Sequence, residues 1–333
     1  MVNAHAQQTG DNRIEGYFDS TGRLWGGPDK VRIWFVAEFS KPFEGLTAWN
    51  DGTITPPCHT AGGLAPRHPT KRGHELQRRT YRRHVCRLYP QGRRASGWKS
   101  AFHPHIKLIM PRRADGSWLH EDPLNGWGFE ESNAWQTTFG LSHQIKELAA
   151  LMGGEDSLCA RLNHAFEQSA GSNFIYSYGG GHICYSNQPG LSNAHVFAHA
   201  GHPELTQYWA RQVRQKVYSG ITPEEGYGGH DEDQGQMAAV STLISIGLFS
   251  IDGGSSSKPC YDITAPLFDE VLIRLHPAYN KGKELRITTR NNSSQNCYIK
   301  SARLNGHTLA SPSISHQQLS EGGILELELA GKP

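Results

Sequence analysis

In the middle of the chain the apolar positions recur at helical spacing. Leu141, Ile145, Leu148, Leu151 and Met152 run up to Gly153-Gly154, which predicts an amphipathic helix closed by glycine. A second helix is expected over 156–166 with Leu158, Leu162 and Phe166 on one face. A third carries Leu205, Tyr208, Trp209, Val213 and Val217, and a fourth carries Met237, Val240, Leu243, Ile244 and Leu248. Long loops separate them, among them the glycine-rich 176–185, and this alternation of helix and loop is what an α/α barrel leaves in sequence. After Pro266 the period switches to two: 272–275, 285–289, 298–304 and 325–329 alternate or are β-rich, predicting an antiparallel β segment. Near the start, 31–39 is dense in β-branched and aromatic residues and is stopped by Ser40-Lys41-Pro42, the mark of a buried strand. The chain thus reads as mainly α with β: a β fragment over 1–55, a helical domain over 102–275 and a β segment over 276–333.

Charge explains the gap between the first two. From Cys58 to Lys99 there are eleven Lys or Arg against one acid, Glu75, although the net charge of the 333-residue chain is only +2. Residues 56–101 show neither helical nor strand period and read as a basic linker or aberrant insert. The six cysteines are scattered without a CxxC pair, so they read as free thiols rather than zinc ligands or a disulfide framework. No run approaches a membrane span and the polar first residues lack a signal-peptide core. The chain as written is expected in the cytoplasm.

Two acidic centres carry the chemistry. Gly228-Gly229-His230-Asp231-Glu232-Asp233-Gln234-Gly235 opens into the helix expected from Met237, and Glu130-Glu131 lies inside the aromatic and amide-rich 127–136. Inverting glycoside hydrolysis uses such a pair: one carboxylic acid protonates the leaving oxygen while the other activates water across roughly 6.5–9.5 Å. The same residues also suit a calcium site, although their spacing is not that of an EF-hand. A plainer alternative is that the acids merely favour the first turn of a helix.

From about Phe102 onward the chain resembles glycoside hydrolase family 92, the calcium-dependent exo-acting α-mannosidases. The resemblance runs through Asp115-Gly116-Ser117-Trp118, then Glu131-Ser132-Asn133-Ala134-Trp135-Gln136 leading to Leu148-Ala149-Ala150-Leu151-Met152-Gly153-Gly154, and Ser186-Asn187-Gln188-Pro189. It continues through Asp231-Glu232-Asp233-Gln234-Gly235-Gln236-Met237, Ala265-Pro266-Leu267-Phe268-Asp269 and Tyr298-Ile299-Lys300-Ser301-Ala302-Arg303-Leu304-Asn305-Gly306. It implies a β-sandwich, of which 1–55 is a fragment, packed on a partial (α/α)6 barrel that removes terminal α-1,2-type mannose from glycans with Ca2+ as cofactor. By position Glu131 is the general acid and Asp233 the general base, with Asp231 as its partner or alternative. Asn133, Trp135, Gln136, Asn187 and Gln188 are the implied substrate-binding residues, and Asn187 and Gln188 the implied metal region.

The departures from that family point to a shortened, partly degenerate member. Gln188 replaces a glutamate, and Leu191-Ser192 replaces a histidine pair; a neutral amide is a weaker partner for a hard cation than a carboxylate. The alternative is therefore an inactive glycan-binding remnant. A third and weaker reading is a nucleic-acid-associating protein using the Arg-rich 78–94. Asn291 and Asn292 each begin a glycosylation sequon, relevant on export.

Overall fold

The computed structural model describes residues 96–177, 179–218 and 235–333. The chain divides at Ser100, and its second unit is Ala101–Pro333. The strand expected at 31–39 and nearly all of the basic stretch lie outside the described residues, as do Asp231 and Asp233.

The helices are α1 (Ala134–Phe139), α2 (Ile145–Met152), α3 (Glu155–Ser169), α4 (Val196–His199), α5 (Pro203–Lys216) and α6 (Gln236–Ile246). The expected terminator of α2 is present: Gly153 is left-handed at φ 106° and its N–H reaches the carbonyls of Ala149 and Ala150, a conformation that a Cβ would strain. Helix α6 begins where the helix from Met237 was expected. Gly235 occupies its N-cap and its first turn holds no acid; the acids at 231–233 lie outside the described residues.

Phe166, midway along α3, is the hub of the helical layer. Its ring lies 5.8 Å from Phe174, 5.7 Å from Phe197 in α4 and 4.9 Å from Trp209 in α5. The edge and offset packing of such rings adds about 0.5–1.5 kcal/mol per pair to the burial of their area. The indole N–H of Trp209 donates to Asn163 Oδ1 at 2.8 Å, so the polar edge of the cluster is satisfied too.

The β strands form two sheets. Strands β1 (Leu248–Phe249), β2 (Cys260–Ile263) and β7 (Ser313–Ser315) make the smaller one in the order β1-β2-β7. The larger comprises β3 (Glu270–Arg274), β4 (Glu284–Arg290), β5 (Tyr298–Leu304), β6 (His307–Thr308) and β8 (Gly323–Ala330), in the order β3-β4-β8-β5-β6. Along β8, Leu325, Leu327 and Leu329 are buried and Glu326 is exposed, the alternation expected of a sheet with one covered face. The wholly antiparallel segment predicted from sequence is corrected at one pair, because β4 and β8 run parallel. Parallel neighbours need a long crossover, supplied here by β5, β6, β7 and helix α7 (His316–Glu321). The larger sheet begins at Glu270, close to the switch of period after Pro266.

Helix α5 joins the two layers. Arg211 is buried and its guanidinium donates to the carbonyls of Ala265, Pro266 and Ser293 at 3.2, 3.0 and 3.3 Å. Gln207 accepts the N–H of Ile299 in β5 at 2.9 Å. A second tie runs from the turn Asn193–His195 and α4 to the smaller sheet. The Asp262 carboxylate of β2 accepts from His195 Nδ1 at 3.2 Å and from His199 Nε2 at 3.2 Å, while the His195 ring stacks on Phe249 with centroids 4.0 Å apart.

This clamp has a pH signature. Burial alone draws the His199 pKa down, but the hydrogen bond and charge of Asp262, with Asp252 further off, outweigh it and the net shift is upward. Burial pushes Asp262 up, yet the hydrogen bonds from His195 and His199 hold it below the usual carboxylate value. The His199 contribution is complete below about 6.5 and fades as pH rises through the higher folded value, whereas that of Asp262 holds above about 3.9 and is lost as pH falls through the lower one. The loss of melting temperature caused by His199→Asn is accordingly expected to be larger near about pH 5.5 than near about pH 8.5. An equal loss at both, measured by thermal denaturation, contradicts the assignment.

Candidate active site

Glu131 sits near the end of a loop whose ends are joined. The N–H of Ala134, the first residue of α1, donates to Pro123 O at 3.2 Å, so 123–134 forms a closed excursion of the kind that carries function on a fixed base. Within it Glu131 has φ 46°, a left-handed conformation that costs a non-glycine residue of order 1–3 kcal/mol and persists only where the surroundings impose it. What imposes it here includes Asn187. Its Nδ2 donates to the Glu131 carbonyl at 2.9 Å and to Glu131 Oε2 at 3.3 Å, fixing the backbone and one carboxyl oxygen together. The Glu131 side chain is exposed, while Asn187 is only 1% exposed.

The amides that follow Glu131 hold the neighbouring glycine loop. Asn133 Oδ1 accepts from the N–H groups of Trp135 and Gln136 as the N-cap of α1, and its Nδ2 donates to the carbonyls of Gly179 and Gly181 at 2.8 and 2.7 Å. Gln136 Nε2 donates to Gly180 O at 2.6 Å and Gly181 O at 3.2 Å. The close approach depends on glycine: a Cβ on Gly179, at φ +75°, would lie 2.9 Å from Ser132 O. Trp135 is buried with a guanidinium, that of Arg161, 5.0 Å from its ring centroid and the His182 ring 4.9 Å away edge-on. Burial and the nearby His164 lower the pKa of His182.

The structure therefore joins Glu131 to Asn187, two predicted site residues, and gives Asn133 and Gln136 the work of supporting backbone. Gln188 begins a short 3-10 turn, Gln188–Gly190, directly after Asn187. Helix α1 was missed by periodicity, but its start was signalled: Asn133 followed three residues later by Gln136 is a capping pattern.

The glycosyl hydrolase family 92 catalytic domain model matches residues 89–331. The chain belongs to this family. An uncharacterized secreted glycosidase of Arthroderma benhamiae is 27% identical over 237 residues, which span 67% of this chain and 28% of that protein. A family GH92 α-mannosidase of Bacteroides thetaiotaomicron superposes with a TM-score of 0.62 at 22% identity, covering 71% of this chain and 30% of its own. A family GH92 inverting mannosidase from strain VPI-5482 of that species gives a TM-score of 0.62 at 26% identity, covering 78% and 35% respectively. The chain thus spans about a third or less of these relatives. Two features missed in the sequence lie beyond the family motifs quoted above: the His195–Asp262–His199 clamp, and the exposure of Trp127 at 71%.

Replacing Asn133 by Ala removes the α1 cap and leaves the Gly179 and Gly181 carbonyls without their donor. A lost N-cap costs about 0.5–2 kcal/mol and an unpaired buried polar group about 1–3 kcal/mol. Asn133→Ala is expected to destabilise the folded chain by about 2–4 kcal/mol in denaturant titration; a loss under about 0.5 kcal/mol, the scale of ordinary surface changes, is incompatible with this role.

Proposed function

We propose that this chain hydrolyses terminal α-linked mannose, α-1,2-type, from glycans by an inverting mechanism, with Glu131 as the general acid. The observation that carries the reading is the Asn187–Glu131 contact within the family match: an exposed carboxyl on a closed loop, with Oε2 and the backbone carbonyl both tied to one buried amide. Oε2 being engaged, Oε1 is the oxygen that would deliver a proton to the glycosidic oxygen. Asp233, with Asp231 beside it, is proposed to activate water from the opposite face. The helices α1–α6 would then be part of an (α/α)6 barrel. One solved relative, an α-mannosidase, was captured with mannoimidazole, which supports a mannose-shaped site.

Calcium is part of the proposal only as a requirement to be tested. Asn187 Oδ1 is buried without a hydrogen-bond partner, an oxygen of the type a hard cation takes. One neutral amide oxygen falls short of the six to eight oxygens that calcium gathers, and no group of three or more His, Cys, Asp or Glu among the described residues can hold a metal ion.

The test is mannose release from α-1,2-linked mannobiose by the purified chain, with Ca2+ and with chelator. Glu131→Gln, which keeps the Asn187 contact but removes the proton, should lower kcat about 10²–10⁴-fold, with Glu130→Gln near wild type. Equal effects of the two substitutions would move the acid away from Glu131.

A further inference from the structure

We propose that Trp127 is the platform for the sugar on the leaving-group side of the scissile bond. The inference rests on the mannosidase reading and names a part of the site that the acid, base and amide residues do not supply.

Trp127 and Glu131 share the closed loop 123–134, so both are carried on the same base, the Ala134–Pro123 hydrogen bond. The loop is fixed around the indole. The backbone N–H of Trp127 donates to Asn125 Oδ1 at 2.9 Å, and His120 Nε2–H donates to the backbone carbonyl of Trp127 at 2.7 Å. The N–H of Phe129 closes a turn onto Gly126 O at 3.1 Å. Gly128, at φ +88°, has no room for a Cβ, which would come within 2.7 Å of Pro111 and 2.9 Å of Leu119. On the other side Gly126 abuts the residue after the acid, since a Cβ there would lie 3.1 Å from Ser132 O.

A backbone pinned at so many points would ordinarily accompany a buried side chain. Here it presents an indole that is 71% exposed, and Leu124 of the same loop is 42% exposed. Indole combines a flat apolar face with an N–H donor, and in a pinned loop it loses little freedom on binding an amphipathic ring. The side it serves follows from the acid. Asn187, nearly fully buried, grips Glu131 from the protein interior, whereas Trp127 lies toward solvent. In exo-cleavage the terminal mannose enters toward the interior, and the remainder of the glycan extends outward from the oxygen that Glu131 protonates. The outward sugar is the one Trp127 would stack.

The experiment compares kcat/KM of wild type, Trp127→Ala and Trp127→Phe on α-1,2-mannobiose and on α-mannosyl fluoride, whose leaving group has no ring. Trp127→Ala should lose about tenfold on mannobiose, equivalent to about 1.4 kcal/mol, and far less on the fluoride, with Trp127→Phe recovering most of the loss. Equal losses on the two substrates, or none on mannobiose, overturn the inference while leaving the mannosidase reading intact. Wild-type protein inert on both substrates removes that reading, and the inference with it. The exposed side chain makes unfolding of the variants an unlooked-for outcome, checked by unchanged melting temperature.

Discussion

A buried backbone without regular structure must find hydrogen-bond partners from outside itself, and in this protein three amide side chains meet that requirement around one point. Asn133 and Gln136 satisfy the carbonyls of 179–181, and Asn187 satisfies that of Glu131. Everything else about the site depends on them: the left-handed turn at Glu131, the glycines that let loops pass within contact of Ser132, and the start of α1. The amides do here what a helix or sheet ladder does elsewhere, and so permit a carboxyl to stand exposed on a rigid base.

The surrounding layers keep that base still. Helix α3 packs its aromatic hub against α4 and α5, and α5 hands the load to the larger sheet through Arg211 and Gln207. A buried guanidinium answered by carbonyls alone carries a desolvation penalty, felt as a lowered pKa at Arg211. The His195–Asp262–His199 clamp sits where the helical part meets the smaller sheet and adds a tie that strengthens with protonation of His199.

Helices α2, α3, α5 and α6 and the strands of the larger sheet were legible because each shows one face to the core and one to solvent, so periodicity marks it. Helix α1 escaped because it is only six residues long and two of its five buried residues, Gln136 and Thr138, are polar, so polarity does not mark its outer face. The parallel pairing of β4 with β8 escaped because pairing order is decided by crossovers and not by alternation within a strand. At the site, residue types and order placed Glu131 and Asn187 in one region through family resemblance, but their contact joins residues 56 apart and is a property of the fold. The clamp was invisible for the same reason, with His195 and Asp262 separated by 67 positions. The acids at 231–233, the β fragment expected over 1–55 and the basic stretch up to 95 fall outside the described residues. The match over 89–331 supports the family, and the matched part covers about a third of the relatives' length.

The most direct test of an inverting hydrolase is the stereochemistry of its first product. Proton NMR of the methyl glycoside of α-1,2-mannobiose, whose leaving sugar cannot mutarotate, hydrolysed by the full chain should show free β-mannose appearing first, with free α-mannose growing in only by mutarotation. Release of α-mannose first, or no release by the folded protein, would contradict the account.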